Sequence, residues 1–281
     1  MFKVLDRKYT RTMPSSSLAS VVLQNGRKVF ATPPVSTVVR RLGLQSTLTR
    51  GYWWLNYRAA GGTYEQRIGD VDVTFRADSP DEFRHYQTLV DERPVLADLL
   101  DHLEPDDTVF DIGAYVGTYT CFAAAVLPDG HVVAFEPRKE KAARVEANLI
   151  HNKAIADVRR EALTDESGEG TMTTDGVAQL STDGTESVTM RQGDALVEAG
   201  EVPPPNVLKV DVEGAEVDAL RGLAATLTRP ACRLVYCEVH PTLLDEYGAS
   251  EADVREVLND CGFAVETIHD RGEEYFLRGE K

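Results

Sequence analysis

Residues 109–117 read VFDIGAYVG, a short apolar run that leads directly into two glycines four residues apart. The apolar run predicts a buried strand, and Gly113 and Gly117 allow a tight turn that a ligand can approach closely. The helix predicted after the turn, over residues 118–126, would offer that ligand free backbone N–H groups. The glycine spacing differs from the GxGxxG pattern of dinucleotide-binding turns, so a plain strand-to-helix connection is an alternative for the turn alone.

Downstream of this turn, short apolar strands alternate with helices. The pattern predicts an α/β fold in which helices cover a mostly parallel sheet and a final hairpin adds an antiparallel edge. Seven strands are expected, at residues 109–112, 132–135, 158–163, 207–212, 233–239, 263–268 and 274–277. Helices are expected at residues 118–126, 139–152, 213–227 and 250–260. The polar residues 164–205 are interpreted as a hairpin-like excursion.

Charge divides the chain into two parts. Of 30 basic and 46 acidic residues, residues 1–60 hold ten basic and one acidic, a balance of +9. The remaining 20 basic and 45 acidic residues give −25, which repels phosphate and argues against a nucleic-acid partner. The expected organisation is a basic N-terminal extension at 1–60, a hairpin and helical lead-in at 61–103 and a catalytic domain at 104–281. Many acids with only 8 lysines against 22 arginines also suggest a salt-adapted organism.

The sequence lacks the run of 18 apolar residues that a transmembrane helix would need, and a cytoplasmic protein is expected. Two roles are open for the basic extension, which contains both tryptophans, Trp53 and Trp54. It could rest on an anionic membrane surface, which would make the protein membrane-peripheral. It could instead pack on the acidic body of its own chain or of a neighbouring subunit, and the latter would form a homo-oligomer.

The second predicted strand ends at Glu136, 25 residues after Asp111. In doubly wound folds an acid at this position binds a ribose, because one carboxylate can accept both hydroxyl protons. A solvated loop acid is the alternative for Glu136 taken alone. The glycine turn and this acid together, in this order, favour a ligand site.

The fourth predicted strand carries Lys209 and ends at Asp211, within the stretch LKVDVEGAE of residues 208–216. Asp211 is placed at the carboxyl end of a central strand, where open α/β sheets form their ligand crevice. Lys209 shares a face with Asp211, and its burial would require a carboxylate partner, either Asp211 or Glu213. Glu213 and Glu216 are expected in the first turn of the next helix, where the helix dipole favours acids.

His240 follows the fifth predicted strand, again at the carboxyl end of the sheet. It could act as a general base towards a hydroxyl, or it could be a turn histidine that caps backbone groups. Asp194, in the stretch GDAL, is interpreted as the cap of the helix that it precedes.

Together these motifs resemble the FkbM-type family of class I S-adenosylmethionine-dependent methyltransferases. The resemblance covers roughly residues 80–280 and follows the order of the family. It is carried by residues 111–117, 135–137, 148, 149, 152, 162–165, 168, 209–216 and 238–240. One position departs from the pattern, since the family usually has Asn where this chain has Tyr115. Because Tyr115 offers no amide, the contacts to the methionine end of the cofactor are expected to differ.

The resemblance implies a Rossmann-like methyltransferase fold with S-adenosylmethionine as cofactor. The implied cofactor contacts are Asp111, Gly113, Ala114, Tyr115, Gly117, Glu136, Pro137, Ala162, Leu163 and Asp165. The implied reaction is methyl transfer to a hydroxyl or carboxylate oxygen of a sugar, glycan or related small molecule. A hydroxyl would need a base, for which Asp211 or His240 are the candidates, with Glu213 third. No metal ligand is predicted.

Two other classes of function stay open. The chain could be a catalytically diverged partner protein that binds S-adenosylmethionine, with Tyr115 as the sign of divergence. It could also be a nucleotide-dependent oxidoreductase, against which the missing GxGxxG pattern and the motif at residues 209–216 both argue.

Overall fold

A computed structural model describes residues 45–88, 92–173, 179–181 and 183–281 of the chain. The chain divides into two units, residues 1–93 and residues 94–281, and this boundary lies inside the predicted lead-in of residues 61–103. Residues 1–44 of the predicted basic extension lie outside the described residues. Within the described ranges, every helix is too short or too polar to cross a membrane.

The described part of the first unit contains α1 (Gln45–Ala59), β1 (Thr63–Ile68), β2 (Val71–Arg76) and α2 (Pro80–Thr88). The hairpin expected within residues 61–103 is confirmed, with β1 and β2 antiparallel. The helical part of that lead-in begins with a capped turn, since the Ser79 hydroxyl accepts the N–H of Glu82 at 3.1 Å. Phe75 and Tyr86 are buried and stack with their ring centroids 4.8 Å apart.

From residue 93 the chain alternates between helices and strands. The elements are α3 (Arg93–His102), β3 (Thr108–Ile112), α4 (Thr118–Val126), β4 (His131–Phe135), α5 (Lys139–Asn152), β5 (Asp157–Arg159), β6 (Glu161–Leu163), β7 (Gly168–Met172) and β8 (Glu186–Arg191). They continue with α6 (Gly193–Glu198), β9 (Val207–Val210), α7 (Glu216–Arg221), α8 (Ala224–Leu227), β10 (Leu234–Val239), α9 (Pro241–Glu246), α10 (Glu251–Asp260), β11 (Ala264–Asp270) and β12 (Tyr275–Glu280).

The main sheet has seven strands in the order β11-β12-β10-β9-β3-β4-β5. The last five in that order are parallel to one another, and β12 is antiparallel to both of its neighbours. This confirms the predicted mostly parallel sheet with a closing hairpin. Every residue of β3, β9 and β10 is buried, as central strands covered on both faces require. The carboxyl ends of the parallel strands meet at one edge of the sheet, called the carboxyl edge below.

The single strand predicted over residues 158–163 is wrong, because two strands occupy this stretch. β5 belongs to the main sheet, whereas β6 pairs with β8 in a second sheet of order β6-β8-β7. The charged side chains in the middle of the stretch explain the break, since burial would leave them without water or partners. Arg159 instead pairs with Glu161 at 3.0 Å and with Glu201 at 2.9 Å on a half-exposed surface.

The helix predicted over residues 213–227 is shorter and interrupted. It begins at Glu216, and it breaks between α7 and α8 at Gly222, where an added Cβ would lie 2.0 Å from the carbonyl oxygen of Thr164. The expectation that Glu213 lies in the first helical turn is therefore wrong. Glu213 precedes the helix in the left-handed conformation, with φ +52°.

Asp194 caps a different helix from the one expected. Its carboxylate accepts the N–H groups of Ala225 at 2.8 Å and Thr226 at 2.7 Å, which open α8. The predicted role as a cap is confirmed, but the helix that it caps is not α6, on which Asp194 itself lies. Only tertiary packing brings these two segments together.

Candidate active site

The glycine turn at residues 113–117 joins β3 to α4 at the carboxyl edge. Gly113 and Gly117 have φ angles of +80° and +82°, which side chains other than glycine adopt at a cost. A Cβ on Gly113 would lie 1.8 Å from the carbonyl oxygen of Asp211, so the end of β9 is packed directly against this turn. The predicted tight turn is confirmed, and the close approach at Gly113 is that of the Asp211 carbonyl. Approach of a ligand to this turn stays a prediction.

Asp111, just before the turn, holds the helix that follows. Its side chain is 1% exposed, and Oδ2 accepts the backbone N–H of Thr120 at 2.9 Å as well as the Thr120 hydroxyl. This carboxylate therefore caps the first turn of α4 from within the sheet. The other oxygen, Oδ1, faces the ammonium of Lys209 at 3.6 Å.

Glu136 ends β4 beside the turn, and its side chain is almost fully buried. Oε2 accepts the N–H of Tyr115 at 2.9 Å, and Oε1 accepts the N–H of Arg138 at 3.0 Å and the Arg138 guanidinium at 3.2 Å. Burial raises the pKa of Glu136, although Arg138 and the N–H donors oppose that shift. The acid thus ties the glycine turn to the start of α5.

Tyr115 occupies the position at which the chain departs from the family pattern. Its backbone is left-handed, with φ +51°, and its phenolic oxygen accepts a hydrogen bond from Lys141 at 3.1 Å. Lys141 Nζ lies 4.2 Å and the Arg138 guanidinium 5.3 Å from the centre of its ring. Two cations therefore lie beside the Tyr115 ring, at the position where the resemblance led us to expect an amide.

The remaining predicted cofactor contacts lie near the ends of β4 and β5. Pro137 follows Glu136 directly and precedes α5. Ala162 and Leu163 are buried on β6, which contacts β4, and Asp165 follows in the connection to β7. These residues therefore follow β4 and β5 in the chain, and their contacts with the cofactor stay a prediction.

A second turn at the carboxyl edge, residues 211–216, carries the candidate base. Lys209 donates to Asp211 Oδ2 at 3.1 Å, which confirms the predicted pairing of these two residues. Asp211 Oδ1 and Glu213 Oε2 face His240 Nε2, at 3.8 Å and 3.4 Å. The three predicted catalytic side chains therefore lie together, although β9 and β10 deliver them separately.

Glu216 orients the His240 imidazole through a hydrogen bond. His240 is 4% exposed, and its Nδ1–H donates to Glu216 Oε1 at 2.7 Å. The same oxygen accepts the N–H of Gly214 at 3.0 Å, so one buried carboxylate holds both the imidazole and the turn. Sequence reasoning treated Glu216 as a helix-dipole acid, because nothing local shows that the end of β10 meets the start of α7.

The electrostatics separate the roles of the three candidates. Burial alone would lower the pKa of His240, but the hydrogen bond to Glu216 and the charges of Asp211 and Glu213 raise it to about 9. Desolvation, with the negative charge of Asp211, raises the pKa of Glu213 to about 7. Desolvation acts the same way on Asp211, but Lys209 and His240 outweigh it and hold that pKa below its usual value. At neutral pH the imidazole is charged, and Glu213 is the group poised to exchange a proton.

Further acids surround His240 on the side of the closing hairpin. Glu238 Oε1 lies 3.9 Å from His240 Nε2 and binds the guanidinium of Arg271, which also pairs with Glu274 at 2.8 Å. Sequence reasoning missed Arg271 and Glu274, because they come from the turn between β11 and β12.

Among the residues that the structure describes, two groups of side chains could hold a divalent cation. They are Asp211, Glu213 and His240, and Glu238, His240 and Glu274, each with ligand atoms within 4.8 Å of one another. A charged imidazole would compete with a cation for these carboxylates. That no metal is needed stays a prediction.

A seven-stranded sheet of this order, with a glycine turn and a carboxylate after its first two strands, defines a class I methyltransferase fold. Comparison with known proteins indicates a family within this class. The methyltransferase FkbM domain matches residues 111–265. The chain is 30% identical over 219 residues to hexuronic acid methyltransferase AglP of Haloferax volcanii, covering 76% of this chain and 87% of that protein.

Two further proteins that the chain resembles are also named as methyltransferases. The chain is 30% identical over 201 residues to 31-O-demethyl-FK506 methyltransferase FkbM of Streptomyces tacrolimicus, covering 58% of this chain and 75% of that protein. The crystal structure of methyltransferase FkbM from Methylobacillus flagellatus aligns at 14% identity with a TM-score of 0.49, over 88% of this chain and 60% of that one.

The chain belongs to the FkbM methyltransferase family. It is an S-adenosylmethionine-dependent methyltransferase, and the oxidoreductase alternative is therefore set aside.

Proposed function

We propose that the protein transfers a methyl group from S-adenosylmethionine to an oxygen of a sugar, and that a hexuronic acid is the first acceptor to test. The observation that carries the proposal is the meeting of Asp211, Glu213 and His240 at the carboxyl edge, beside the glycine turn. The name of the Haloferax volcanii relative supports the class of acceptor.

The residues at the edge fit the cofactor. Gly113 and Gly117 form the tight turn that ends β3, at the edge where folds of this kind bind their ligands, and Glu136 lies where a ribose would bind. A carboxylate has about four acceptor positions, of which the three hydrogen bonds from Tyr115 and Arg138 leave one for a hydroxyl. We therefore assign the ribose to Glu136, the methionine part to residues 111–117 and the adenine to Ala162, Leu163 and Asp165.

When bound, S-adenosylmethionine supplies an electrophilic methyl group on a positively charged sulfur. The chain's own residues must align the acceptor oxygen and take its proton. Glu213 is assigned as the base for a hydroxyl acceptor, because its pKa of about 7 matches the working pH and its carboxylate is part-exposed. A hydroxyl acceptor would give its proton to Glu213 while its oxygen took the methyl group. The bond between that carbon and the cofactor sulfur would break, and S-adenosylhomocysteine would leave with the bonding electron pair. Asp211 stays ionised, and the charged His240 holds the two acids in place.

The test is an assay of the purified protein with S-adenosylmethionine and a panel of hexuronic acids, oligosaccharides that end in a hexuronic acid, and the corresponding neutral sugars. The expected result is that a sugar oxygen gains one methyl group, and mass spectrometry detects this gain. Mild alkali then distinguishes an ester on a carboxylate from an ether on a hydroxyl, because only the ester is cleaved. Cofactor binding without methylation of any sugar in the panel would instead support the diverged partner.

We also propose that α1 rests on an anionic membrane surface. Leu48, Trp54 and Leu55 are 40%, 53% and 48% exposed, and they lie on the same half of the helix surface as the exposed Arg50 and Arg58. The helix carries no acid, in a chain whose net charge is −16. An exposed apolar surface with arginines beside it suits an interfacial helix.

Flotation with vesicles of phosphatidylglycerol tests the membrane proposal. The protein should float with these vesicles, and the double variant Trp54→Ala, Leu55→Ala should not. Thr47→Ala, an exposed polar position on the same helix, is the matched control and should float as the unchanged protein does. Equal recovery of all three proteins in the unbound fraction would contradict the proposal, and a concentration-dependent dimer lost in the double variant would favour self-association.

A further inference from the structure

Lys209 is a buried cation in the middle of the main sheet. It lies on β9 opposite Asp111 of β3 and Tyr236 of β10, and its side chain is 4% exposed. An ammonium group in such a place costs free energy unless its three N–H donors find acceptors. The groups around Nζ therefore decide what this residue contributes.

The contacts of Nζ join the two turns of the carboxyl edge. Nζ donates to the carbonyl oxygen of Gly113 at 3.2 Å and to Asp211 Oδ2 at 3.1 Å. It lies 3.6 Å from Asp111 Oδ1 and 5.0 Å from the centre of the Tyr119 ring. One side chain thus contacts the end of β3, the glycine turn, α4 and the turn that carries the candidate base.

The contact with Gly113 fixes the first peptide group of the glycine turn. The Gly113 carbonyl accepts from Lys209, and the N–H of the same peptide group, on Ala114, donates to the Phe135 carbonyl at 3.0 Å. Because both polar ends are held, this peptide plane cannot rotate without breaking a buried hydrogen bond. The following N–H groups of the turn are oriented by the same plane.

The contacts of the Lys209 ammonium with Asp111 and Asp211 balance the negative charge of these carboxylates. Among the described residues, Lys209 is the only cation within 4 Å of Asp111, and Asp111 Oδ1 accepts no hydrogen bond from them. On the other side, binding of Asp211 Oδ2 leaves Oδ1 directed at His240. Without the ammonium, Asp111 would have no neighbouring cation among the described residues, and Asp211 would keep only the imidazolium of His240 within 4 Å.

We propose that Lys209 is a positioning residue that holds the cofactor-binding turn and the Asp211 carboxylate as one rigid unit. The proposal rests on the cofactor part of the proposed function and not on the sugar acceptor. Failure to find a sugar substrate would therefore leave it intact.

The test is the affinity for S-adenosylmethionine, measured by titration calorimetry on Lys209→Met, which removes the ammonium and keeps an unbranched side chain. The affinity should fall by about tenfold or more, as the loss of a charge-assisted hydrogen bond predicts. Lys209→Arg restores a cation and should regain most of the loss. Lys153→Met, an exposed lysine beyond α5, is the matched control and should bind as the unchanged protein does.

A merely structural role would lower the melting temperature but leave the affinity of the folded fraction unchanged, and that result would overturn the proposal. If Lys209→Met alone does not fold, the double variant with Asp111→Asn removes an acid left without a partner. Its affinity is then compared with that of Asp111→Asn alone. A further loss of about tenfold supports the proposal, and equal affinities overturn it.

Discussion

Two turns at the carboxyl edge, residues 113–117 and 211–216, share a left-handed residue other than glycine. They differ in the groups that accept hydrogen bonds from their backbone N–H groups. Each follows an aspartate at the end of a central strand, and each contains a left-handed residue other than glycine, Tyr115 at φ +51° and Glu213 at φ +52°. In the first turn, groups from other strands accept the backbone N–H groups, namely the Phe135 carbonyl and the Glu136 carboxylate. In the second, Glu216 from the turn's own end accepts the Gly214 N–H.

The acidic side chains of the two turns also differ in what they contact. Asp111 turns inward to cap α4, whereas Asp211 and Glu213 turn towards His240. A turn whose backbone is held from outside keeps a fixed shape, and a fixed shape is suited to binding a ligand. A turn whose carboxylates crowd together has shifted pKa values and is suited to proton transfer. The comparison predicts that changes in the first turn alter cofactor affinity and changes in the second alter turnover.

The largest effect is expected from Gly113→Ala. The added Cβ would meet the Asp211 carbonyl oxygen, in addition to the cost of the left-handed backbone. We expect destabilisation by more than about 3 kcal/mol and no measurable cofactor binding. Gly200→Ala has a similar φ of +69° with open space around its Cβ, so it isolates the backbone cost of about 1–2 kcal/mol. Thermal unfolding of the two variants compares them, and equal melting temperatures would refute the close approach.

Glu213→Gln should reduce turnover of a hydroxyl acceptor by about 10² to 10⁴ at saturating cofactor, because a general base is lost. In the unchanged protein the rate should rise as Glu213 loses its proton near pH 7 and fall as His240 loses its proton near pH 9. The variant should lose the limb near pH 7. Asp245→Asn, an exposed acid on α9, should retain both limbs. A profile for Glu213→Gln that keeps its lower limb would assign the base to another group.

Glu136→Ala should weaken S-adenosylmethionine binding by about tenfold to a hundredfold, since it removes the ribose acceptor and releases the Tyr115 N–H. At saturating cofactor, turnover should change much less. Glu140→Ala, an exposed acid on α5, is the control. Unchanged affinity, measured by calorimetry, would remove the ribose role from Glu136.

The smallest effect is expected from Glu216→Gln. The amide oxygen can still accept the Gly214 N–H, but the charge beside His240 is lost. Burial already favours the neutral imidazole, so the pKa of His240 should fall from about 9 and the upper limb of the pH profile should move to lower pH. Cofactor affinity should stay the same. An unmoved upper limb would mean that His240 does not set it.

The sequence predicted the fold and the positions of the site residues because both follow from local order. Strand and helix alternation, with acids after the strands, gives the carboxyl edge directly. The Lys209–Asp211 pair was also predictable, since the two residues are two apart in one extended segment. The contact of Lys209 with Asp111 was not, because it depends on the register of two strands that are far apart in sequence.

The errors have the same origin. Glu213 fits a helical turn by composition, but the packing of Gly113 against Asp211 requires the chain to leave β9 through a left-handed residue. Asp194 has the residue type of a cap, and only the packing of α6 on α8 shows which helix it caps. The residue type shows that a residue is suited to a helix start or a cap. Contacts between segments that are distant in sequence decide which groups it binds.

The most direct measurement is the affinity of Glu136→Ala and Glu213→Gln for S-adenosylmethionine, determined side by side with the unchanged protein. The two-turn account predicts a clear loss for Glu136→Ala and an affinity within about twofold of the unchanged protein for Glu213→Gln, which lies outside the cofactor-binding turn. Equal losses in both variants, or a loss confined to Glu213→Gln, would contradict the assignment of binding to one turn and proton transfer to the other.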